Sequence, residues 1–390
     1  MNYDDKKLKR RHENDKYNRN KLEAHINAKS KRVKKSKLYP INLIFALALL
    51  VFIFIRGIFP LPYRIIFTVI LLLLELMLYK RVRKTNKRFF KNIIMLFIIV
   101  FSTLFIFLVM RLDLSLERMN KSNVLVPNKY RNDYSFNVYI SGIDSKGDIT
   151  TVSRSDVNII ATINTKTGDI LLTTIARDSY FPIAGEGNNE YDKLTHAGLY
   201  GVKSSMETLE NVFNIDIPYY ARINFDSMVN IVDALGGIDV YNNQRFQSKV
   251  MDRYFEEGNL HLNGEEALAF VRERYNLAEG DADRGRNQEK VFAAMIKKAA
   301  SPASLLRFEA ILQSAENSID TNIPSGKAID ILNSQLFKFG KLNIESKELS
   351  GEGQYGLPSY AMPGYDLYMF VPYEESIEET RNNILETMRR

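Results

Sequence analysis

The hydrophobic positions follow two patterns, which divide the chain near residue 110. Before that point, apolar runs cover residues 41–59, 65–79 and 93–110, and each is about as long as a bilayer crossing requires. After it, short apolar runs and helical periodicities predict the strands and helices of a folded domain. We therefore expect three transmembrane helices within residues 41–110, and a water-exposed domain after them.

The middle apolar run carries a carboxylate, Glu75, near its centre. A charge at that depth costs about 2.5 to 3.5 kcal/mol on insertion scales unless it is paired or faces another helix. The middle run is therefore a marginal membrane span unless one of these two conditions holds. A cleaved signal peptide is the poorer interpretation, because three successive runs do not resemble one short hydrophobic region.

Basic residues predict the orientation of the three helices. Residues 1–37 contain fourteen Lys or Arg against five Asp or Glu, and the loop 80–91 contains seven Lys or Arg. Positive loops remain cytoplasmic, so the tail at 1–40 and this loop are expected inside and everything after residue 110 outside. We assign the tail to orientation and attraction to anionic lipid rather than to nucleic acid, because no aromatic stacking platform accompanies it.

The first strands of the exterior domain are expected after a linker at residues 111–132. Residues 136–140, 156–163 and 170–175 have strand patterns, and the last two flank the turn Asn-Thr-Lys-Thr-Gly-Asp. A hairpin centred between Lys166 and Thr167 places Asp156 beside Arg177. Asp144, at the end of the first strand, is expected at the same edge of the sheet, where open α/β sheets hold their ligands.

Helical periodicity separates these strands from later ones. Residues 203–213 and 225–235 each have one apolar face, and Gly236-Gly237 closes the second helix. Further elements are predicted as a strand at 238–241, a helix from Ser301-Pro302 to 312, a strand at 368–371 and a helix at 377–388. The pattern indicates one α/β domain over residues 133–390, with a central mixed sheet flanked by helices. Whether the apolar faces are ordinary core or leave a slot for a lipid tail stays open.

A basic cluster supplies the candidate chemistry. Arg284 and Gln288 lie one turn apart at the start of a predicted helix, and Arg272 and Arg274 converge if the preceding helix ends near residue 270. Such a cluster favours a multidentate anion, a phosphate or a pyrophosphate. The alternative is a solvated charged face whose cations are neutralised by Glu265, Glu266, Glu273, Asp281 and Asp283.

Other types of site have little support. The chain has no cysteine and only four histidines, so disulfides and thiolate metal sites are excluded and a zinc site is poorly supported. We interpret His196 as structural. Gly-x-Ser-x-Gly, Walker A and Rossmann glycine motifs are absent from the sequence.

Taken together, the motifs resemble the LytR-CpsA-Psr (LCP) family of membrane-anchored enzymes in Gram-positive envelopes. The resemblance covers residues 134–300 closely. It is carried by Ser141-Gly-Ile-Asp144, Ser153-Arg-Ser-Asp156, Ala176-Arg-Asp-Ser-Tyr180, Asp192-Lys-Leu-Thr-His196, Val232-Asp-Ala-Leu-Gly-Gly-Ile-Asp239, Leu262-Asn-Gly-Glu-Glu-Ala-Leu268, Val271-Arg-Glu-Arg274 and Asp281-Ala-Asp-Arg284 with Gln288.

The resemblance implies a phosphotransferase that moves a glycopolymer, such as capsule or teichoic acid, from a polyprenyl-pyrophosphate carrier to peptidoglycan, with pyrophosphatase activity as an additional expectation. It implies a multi-pass protein of the cell membrane that contacts membrane lipid and no nucleic acid, with its catalytic domain extracellular. A non-catalytic lipid-phosphate-binding protein or transcriptional attenuator is the alternative.

The resemblance also implies roles for individual residues. Asp144 and Asp156 would bind Mg²⁺ or Mn²⁺, and Mg²⁺ characteristically takes one or two carboxylates plus phosphate oxygens. Catalytic roles fall to Arg177, Arg272, Arg274 and Arg284, and substrate-binding roles to Arg154, Gln288, Lys193 and Asp281. Asp281 is also a candidate base for the acceptor hydroxyl, with a salt bridge to Arg284 as the open alternative.

Overall fold

The computed structural model describes residues 14–23, 38–57, 59, 61–84, 88–122, 124–130, 133–143, 145, 148–299, 301–336 and 343–390. These residues form two compact units, Met1–Phe107 and Leu108–Arg390, which are taken separately. Within the predicted tail, residues 14–23 are helical, and most of the remainder lies outside the described residues.

Three long apolar helices dominate the N-terminal part of the chain. They are α1 (Leu38–Arg56), α2 (Leu61–Lys84) and α3 (Arg88–Met119), and in the described part of the chain each is long and apolar enough to cross a membrane. Inside the first unit, Nδ2 of Asn42 on α1 donates a hydrogen bond to Oε1 of Glu75 on α2 (2.6 Å), and both side chains are buried. Glu75 is therefore paired, which is one of the two conditions under which this run can cross a bilayer.

A mixed sheet forms the centre of the second unit, as the sequence predicts. The strands are β1 (Ser135–Ile143), β2 (Ser155–Asn164), β3 (Asp169–Thr174), β6 (Tyr219–Asn224), β11 (Ile319–Thr321) and β12 (Asn343–Glu348). Their order in the sheet is β11-β6-β1-β2-β3-β12. In it β1 runs parallel to β6 and β3 parallel to β12, and the other neighbours are antiparallel.

Among the described residues, eight short strands lie outside the central sheet and pair two by two. They form the pairs β4–β5, β8–β9, β7–β10 and β13–β14. Their bounds are β4 (Tyr180–Pro182), β5 (Tyr191–Lys193), β7 (Ile238–Asn242), β8 (Phe246–Gln247), β9 (Tyr254–Phe255), β10 (Gly258–Leu262), β13 (Gly351–Gln354) and β14 (Met369–Pro372).

Helices cover both faces of the central sheet. Alternate residues of β1 and β2 point to opposite faces, so Val138 and Ile159 enter one core and Tyr139 and Ile160 the other. The first core is completed by α6 (Phe225–Leu235), α7 (Gly264–Arg272) and α8 (Asp281–Ala299). The second is completed by α5 (Val202–Phe213) and α11 (Glu374–Arg389). The remaining helices are α4 (Leu194–Ala197), α9 (Phe308–Ser318) and α10 (Ser325–Leu336).

The predicted register of the β2–β3 hairpin is confirmed. Asn164 pairs with Asp169 across the turn, and the pairing continues without a shift to Ile159 and Thr174. Gly168 has a φ of +77°, which a residue without a Cβ adopts at no steric cost. The turn chemistry therefore fixes which residues meet at the far end of the hairpin.

Three predicted boundaries differ from the structure. The helix α3 continues to Met119, so the first part of the predicted linker is helical. Its end is anchored within the second unit, where Arg111 forms an ion pair with Glu316 of α9. Residues after Ser301 form a 3-10 helix, Pro302–Arg307, before α9 begins at Phe308. The helix α7 ends at Arg272 rather than near residue 270.

Candidate active-site cleft

An ion-pair network lies at the end of the β2–β3 hairpin. Nη1 of Arg177 lies 3.0 Å from Oδ1 of Asp156, and its Nε lies 3.6 Å from Oδ2 of Asp178. Nζ of Lys193 lies 2.8 Å from the other oxygen of Asp178. Backbone hydrogen bonds hold this arrangement, since Thr195 N donates to the carbonyl of Arg177 (2.8 Å). Two carboxylates and two cations thus meet at one edge of the sheet, and the sequence predicts the Asp156–Arg177 pair among them.

A buried carboxylate shapes the segment that follows α7. The helix begins with a capping box between Asn263 and Glu266, and it ends where Glu273 turns to extended backbone. One oxygen of Glu273 accepts hydrogen bonds from the backbone N–H groups of residues 274, 275 and 276, and the other accepts from Lys249 N (2.6 Å). Glu273 is therefore an anchor for the loop that carries Arg274, and not a solvated counter-charge for the arginines.

The first turns of α8 carry both basic and acidic groups. Arg284 and Gln288 lie one turn apart, as predicted, and Gln288 is buried. Arg286 faces three carboxylates, those of Glu279, Asp283 and Glu348. Burial alone would raise the pKa of Asp283, but hydrogen bonds from Glu279 N, Gln244 and Arg286 outweigh burial and lower it. Arg286 is thus paired with several carboxylates at the start of α8.

A cleft of about 590 Å³ lies beside these groups, and some of them line it. Arg274, Arg284 and Gln288 contribute to its wall, and Ala176 and Asp178 bring the Arg177 backbone to its edge. Aromatic rings of the β13–β14 hairpin complete it. The other residues that line the cleft are Thr174, Ile175, Glu279, Gly285, Arg286, Glu348, Leu349, Ser350, Gly351, Tyr355, Tyr368 and Phe370.

Three of the predicted site arginines do not line this cleft, namely Arg154, Arg177 and Arg272. Arg272 is exposed, and its guanidinium lies 4.7 Å from the centre of the Phe225 ring. Phe225 and Gln288 also line an apolar cavity of about 10 Å³ between β1, β6 and α8, so Gln288 belongs to both walls. The helix α7 ends at Arg272 and not near residue 270 as predicted, so Arg272 lies on the helix and Arg274 beyond its end. The convergence of their side chains stays a prediction.

Arg154 lies beside the C-terminal segment. Its Nη2 lies 3.7 Å from Sδ of Met362. That segment is held by Asp192, which accepts hydrogen bonds from Ser359 Oγ (2.8 Å) and Ala361 N (2.7 Å). His196 is buried with Nδ1 2.8 Å from Oδ1 of Asp192, which fits a structural role. Burial opposes ionisation of Asp192, yet hydrogen bonds from His196, Ala361 and Ser359 lower its pKa.

Two predicted site residues cannot be placed. Asp144 lies outside the described residues, and Asp281 begins α8 with its side chain outside the described part of the structure. Their roles stay predictions.

The groups at the sheet edge suit a hard divalent cation. Asp156 offers a half-buried carboxylate at the end of β2. Among the described residues, no three His, Asp or Glu side chains form a cluster that could hold a metal ion. A site with one or two carboxylates and substrate phosphate oxygens is the arrangement that Mg²⁺ favours, so the donors present fit Mg²⁺.

Sequence reasoning missed three supporting groups. Asp178 bridges Arg177 and Lys193. It lies within the motif Ala176-Arg-Asp-Ser-Tyr180, but nothing in the sequence assigned it a role. Glu273 gave no signal beyond a charge between two arginines. The aromatic residues of the β13–β14 hairpin reach the cleft through pairing over a long loop, and local periodicity does not report such pairing.

A match to one protein-family model covers enough of the chain to assign its family. A model described as the LytR_cpsA_psr family matches residues 110–384, most of the chain. This chain belongs to the LytR-CpsA-Psr family. The matched range includes Arg177, Arg274, Arg284, Gln288 and Asp156.

Named teichoic acid transferases are similar to more than half of this chain. A polyisoprenyl-teichoic acid–peptidoglycan teichoic acid transferase TagU of Bacillus cereus is 35% identical over 217 residues, 55% of this chain and 69% of that protein. The protein of the same name from Enterococcus faecalis is 36% identical over 242 residues, 61% of this chain and 76% of that protein.

Solved LytR-CpsA-Psr structures share the fold. The crystal structure of B. subtilis TagV matches with a TM-score of 0.56 and 27% identity, covering 66% of this chain and 98% of that one. The structure of TagT bound to LI-WTA matches with a TM-score of 0.52 and 26% identity, covering 70% of this chain and 96% of that one. The α/β fold predicted from the sequence is therefore confirmed.

Proposed function

We propose that this protein transfers a teichoic acid-like glycopolymer from a polyprenyl-pyrophosphate carrier to a hydroxyl group of peptidoglycan. The observation that carries the proposal is the cleft in which Arg274, Arg284 and Gln288 share a wall beside the Arg177–Asp156 pair. The names of the TagU relatives supply the substrate class. The transferase is favoured over a passive lipid-binding protein because binding alone does not require a carboxylate beside the arginines.

The arginines and Gln288 would bind the pyrophosphate. A guanidinium presents two parallel N–H donors, which match two oxygens of one phosphate group. Arg274 and Arg284 hold the pyrophosphate from the cleft wall, and Arg177 approaches from its edge. Arg272 and Arg154 lie farther out in this structure, and we assign them to the approach of the anionic substrate.

The transfer replaces the phosphoanhydride bond of the pyrophosphate by a phosphate ester. The acceptor oxygen forms a bond to the phosphorus that carries the glycan, its hydroxyl proton passes to a base for which Asp281 is the candidate, and the bond from that phosphorus to the bridging oxygen breaks. Polyprenyl phosphate leaves with the bonding electrons, and the arginines stabilise the negative charge that develops there. Water in place of the sugar hydroxyl would give pyrophosphatase activity, which we propose as a side reaction.

Asp156 would hold a Mg²⁺ or Mn²⁺ ion, with Asp144 as the second ligand predicted from the sequence. Such an ion neutralises charge on phosphate oxygens when it is bound. Within the protein, Arg177 holds Oδ1 of Asp156 at 3.0 Å and thereby fixes the orientation of the carboxylate. Lys193 fixes Asp178 in the same way from the other side.

The location of the domain follows from its substrates. Peptidoglycan lies outside the cell membrane. The seven basic residues of the segment 80–91 favour a cytoplasmic position for that segment. We therefore place the tail inside and residues after 110 outside, in a multi-pass protein of a Gram-positive cell membrane that contacts membrane lipid.

The lipid retained by the protein tests the proposed binding role. Full-length protein is purified from its own membrane in mild detergent, and bound lipids are identified by mass spectrometry. We expect polyprenyl phosphate or pyrophosphate species with the wild type and much less with Arg274→Ala. Equal polyprenyl content in both proteins, or none in either, would contradict the assignment of the cleft.

A further inference from the structure

Two exposed tyrosines of the β13–β14 hairpin line the cleft outside the arginine cluster. Tyr355 is 67% exposed and Tyr368 is 38% exposed, and their ring centroids lie 5.6 Å apart at an angle of 68°. The hairpin pairs Gln354 with Met369, so the two rings flank its last paired residues. Large aromatic surface left open on a cleft wall is a recognition surface rather than core.

The hairpin backbone is built to hold one of these rings in place. A Cβ at Gly353 would lie 2.4 Å from Cε2 and 2.7 Å from the hydroxyl oxygen of Tyr368, so the ring lies directly against the backbone of Gly353 and a side chain there would displace it. Beyond the strands, Gly356 N donates to Oδ1 of Asp366 (2.8 Å) and ties the loop together. Tyr368 is therefore positioned by the backbone beneath it.

The charges in this part of the cleft differ from those of the arginine cluster. Arg286 is paired with Glu279, Asp283 and Glu348, three carboxylates against one cation. Glu279 and Glu348 both line the cleft, and Glu348 directly precedes the hairpin. A second phosphate would be repelled here, whereas a neutral ligand with hydroxyl groups can donate hydrogen bonds to the carboxylates.

A pyranose ring can contact both the exposed tyrosine rings and the carboxylates of this part of the cleft. Its C–H face packs against aromatic rings, and its hydroxyl groups donate to carboxylate oxygens. We propose that Tyr355 and Tyr368, with Glu279 and Glu348, form a sugar-binding subsite of the cleft. The proposal rests on the proposed function, and the sugar comes either from the glycan of the donor or from the peptidoglycan acceptor.

The subsite is tested with Tyr355→Ala and Tyr368→Ala in the full-length protein. Tyr355→Phe and Tyr368→Phe keep the ring, and Tyr241→Ala changes an exposed tyrosine outside the cleft lining. Transfer is measured against the concentrations of lipid-linked donor and of peptidoglycan strands, and binding of sugar-free polyprenyl pyrophosphate is titrated separately. We expect the alanine variants to raise one KM by roughly three- to tenfold, while both Phe variants, Tyr241→Ala and sugar-free lipid binding stay near wild type.

The affected substrate identifies the source of the sugar. A higher KM for the donor alone assigns the subsite to the donor glycan, and a higher KM for peptidoglycan alone assigns it to the acceptor. Alanine variants that transfer like wild type, or that lose sugar-free lipid binding, would overturn the subsite and leave the proposed function standing. Absence of transfer by the wild type would instead refute the proposed function. The subsite would then be decided by direct binding of peptidoglycan strands and of the released donor glycan to wild type and Tyr355→Ala. Weaker binding of either ligand by the variant supports the subsite, and unchanged binding of both overturns it.

Discussion

Arg177 and Asp156 meet because the β2–β3 hairpin keeps its register to the end. The pairing of Ile159 with Thr174 is the last in the ladder, and just beyond it Nη1 of Arg177 lies 3.0 Å from Oδ1 of Asp156. A proposed phosphate-binding group and a proposed metal ligand thus hold each other. Because the two are coupled, a change at either residue should affect both functions.

The first prediction concerns the carboxylate. Asp156→Asn keeps the shape of the side chain and removes the charge, so affinity for a divalent cation should fall while folding is nearly unchanged, since no core cavity forms. Transfer measured over a Mg²⁺ titration should drop to near background in Asp156→Asn and in Asp144→Ala. Asp252→Asn, at an exposed position, is the matched control. Wild-type turnover by the Asp144→Ala, Asp156→Asn double variant would remove the metal assignment.

The second prediction concerns a buried ion pair that supports the sheet. Asp320 accepts hydrogen bonds from Arg222 (2.8 Å), Tyr220 (2.9 Å) and the backbone of Lys121 (2.9 Å), and Arg222 and Asp320 are both buried. Asp320→Ala leaves the Arg222 charge without this partner, which should lower the free energy of unfolding by about 3 to 5 kcal/mol.

Urea unfolding of the detergent-solubilised protein measures this change. Removal of an exposed pair, by Glu256→Ala opposite Arg245, should cost about 1 kcal/mol or less. Equal losses in the free energy of unfolding for Asp320→Ala and Glu256→Ala would show that the buried Arg222–Asp320 pair stabilises the fold no more than an exposed pair does.

The third prediction concerns stability in acid. Arg111, with help from Ser115, lowers the pKa of Glu316 from its ordinary 4.5 to about 2. A depressed pKa stabilises the folded state when the carboxylate is ionised, so this contribution is present above about pH 4.5 and is lost as the pH falls toward 2. The free energy of unfolding of Glu316→Gln should therefore vary less with pH across that window than that of the wild type. Parallel pH curves for the two proteins would contradict the assignment.

The fourth prediction concerns orientation. A protease applied to intact cells stripped of their wall should remove the domain after residue 110 and spare the tail, because the seven basic residues of loop 80–91 favour the cytoplasmic side. Antibodies against the tail and against the C-terminal helix report the two fragments. Protection of the domain would exclude peptidoglycan as the acceptor.

The sequence predicted the parts of the site that depend on local geometry. Turn residues and alternation predict the β2–β3 register, and therefore the meeting of Arg177 and Asp156, without knowledge of the rest of the fold. Helical periodicity likewise places Arg284 and Gln288 together at the start of α8.

The remaining differences depend on contacts between distant segments. The end of α7 is set by Glu273, one oxygen of which is held by Lys249 N, and the extension of α3 is held by the ion pair of Arg111 with Glu316. Lys249 and Glu316 lie too far along the chain from Glu273 and Arg111 for the local hydrophobic pattern to predict these contacts. Arg222 is likewise buried against Asp320, a contact with a distant segment that its sequence neighbours do not indicate.

The central claim is that the arginines of the cleft act by the geometry of their paired donors and not only by charge. Arg→Lys at residues 177 and 274 preserves net charge and removes the two parallel N–H groups. Loss of one charge-assisted contact costs about 1.5 to 3 kcal/mol, roughly a ten- to hundredfold change in rate. Arg389→Lys, at an exposed position on α11, is the control.

The most direct measurement is transfer of a labelled glycan from polyprenyl pyrophosphate to peptidoglycan by the purified full-length protein, with donor binding titrated in parallel. We predict that the wild type and Arg389→Lys transfer the label. Arg177→Lys and Arg274→Lys should be roughly ten- to hundredfold slower, with a much smaller loss of donor binding. Wild-type turnover by the two cleft variants, or equal losses of binding and turnover, would contradict the account and leave the cleft a charged docking surface.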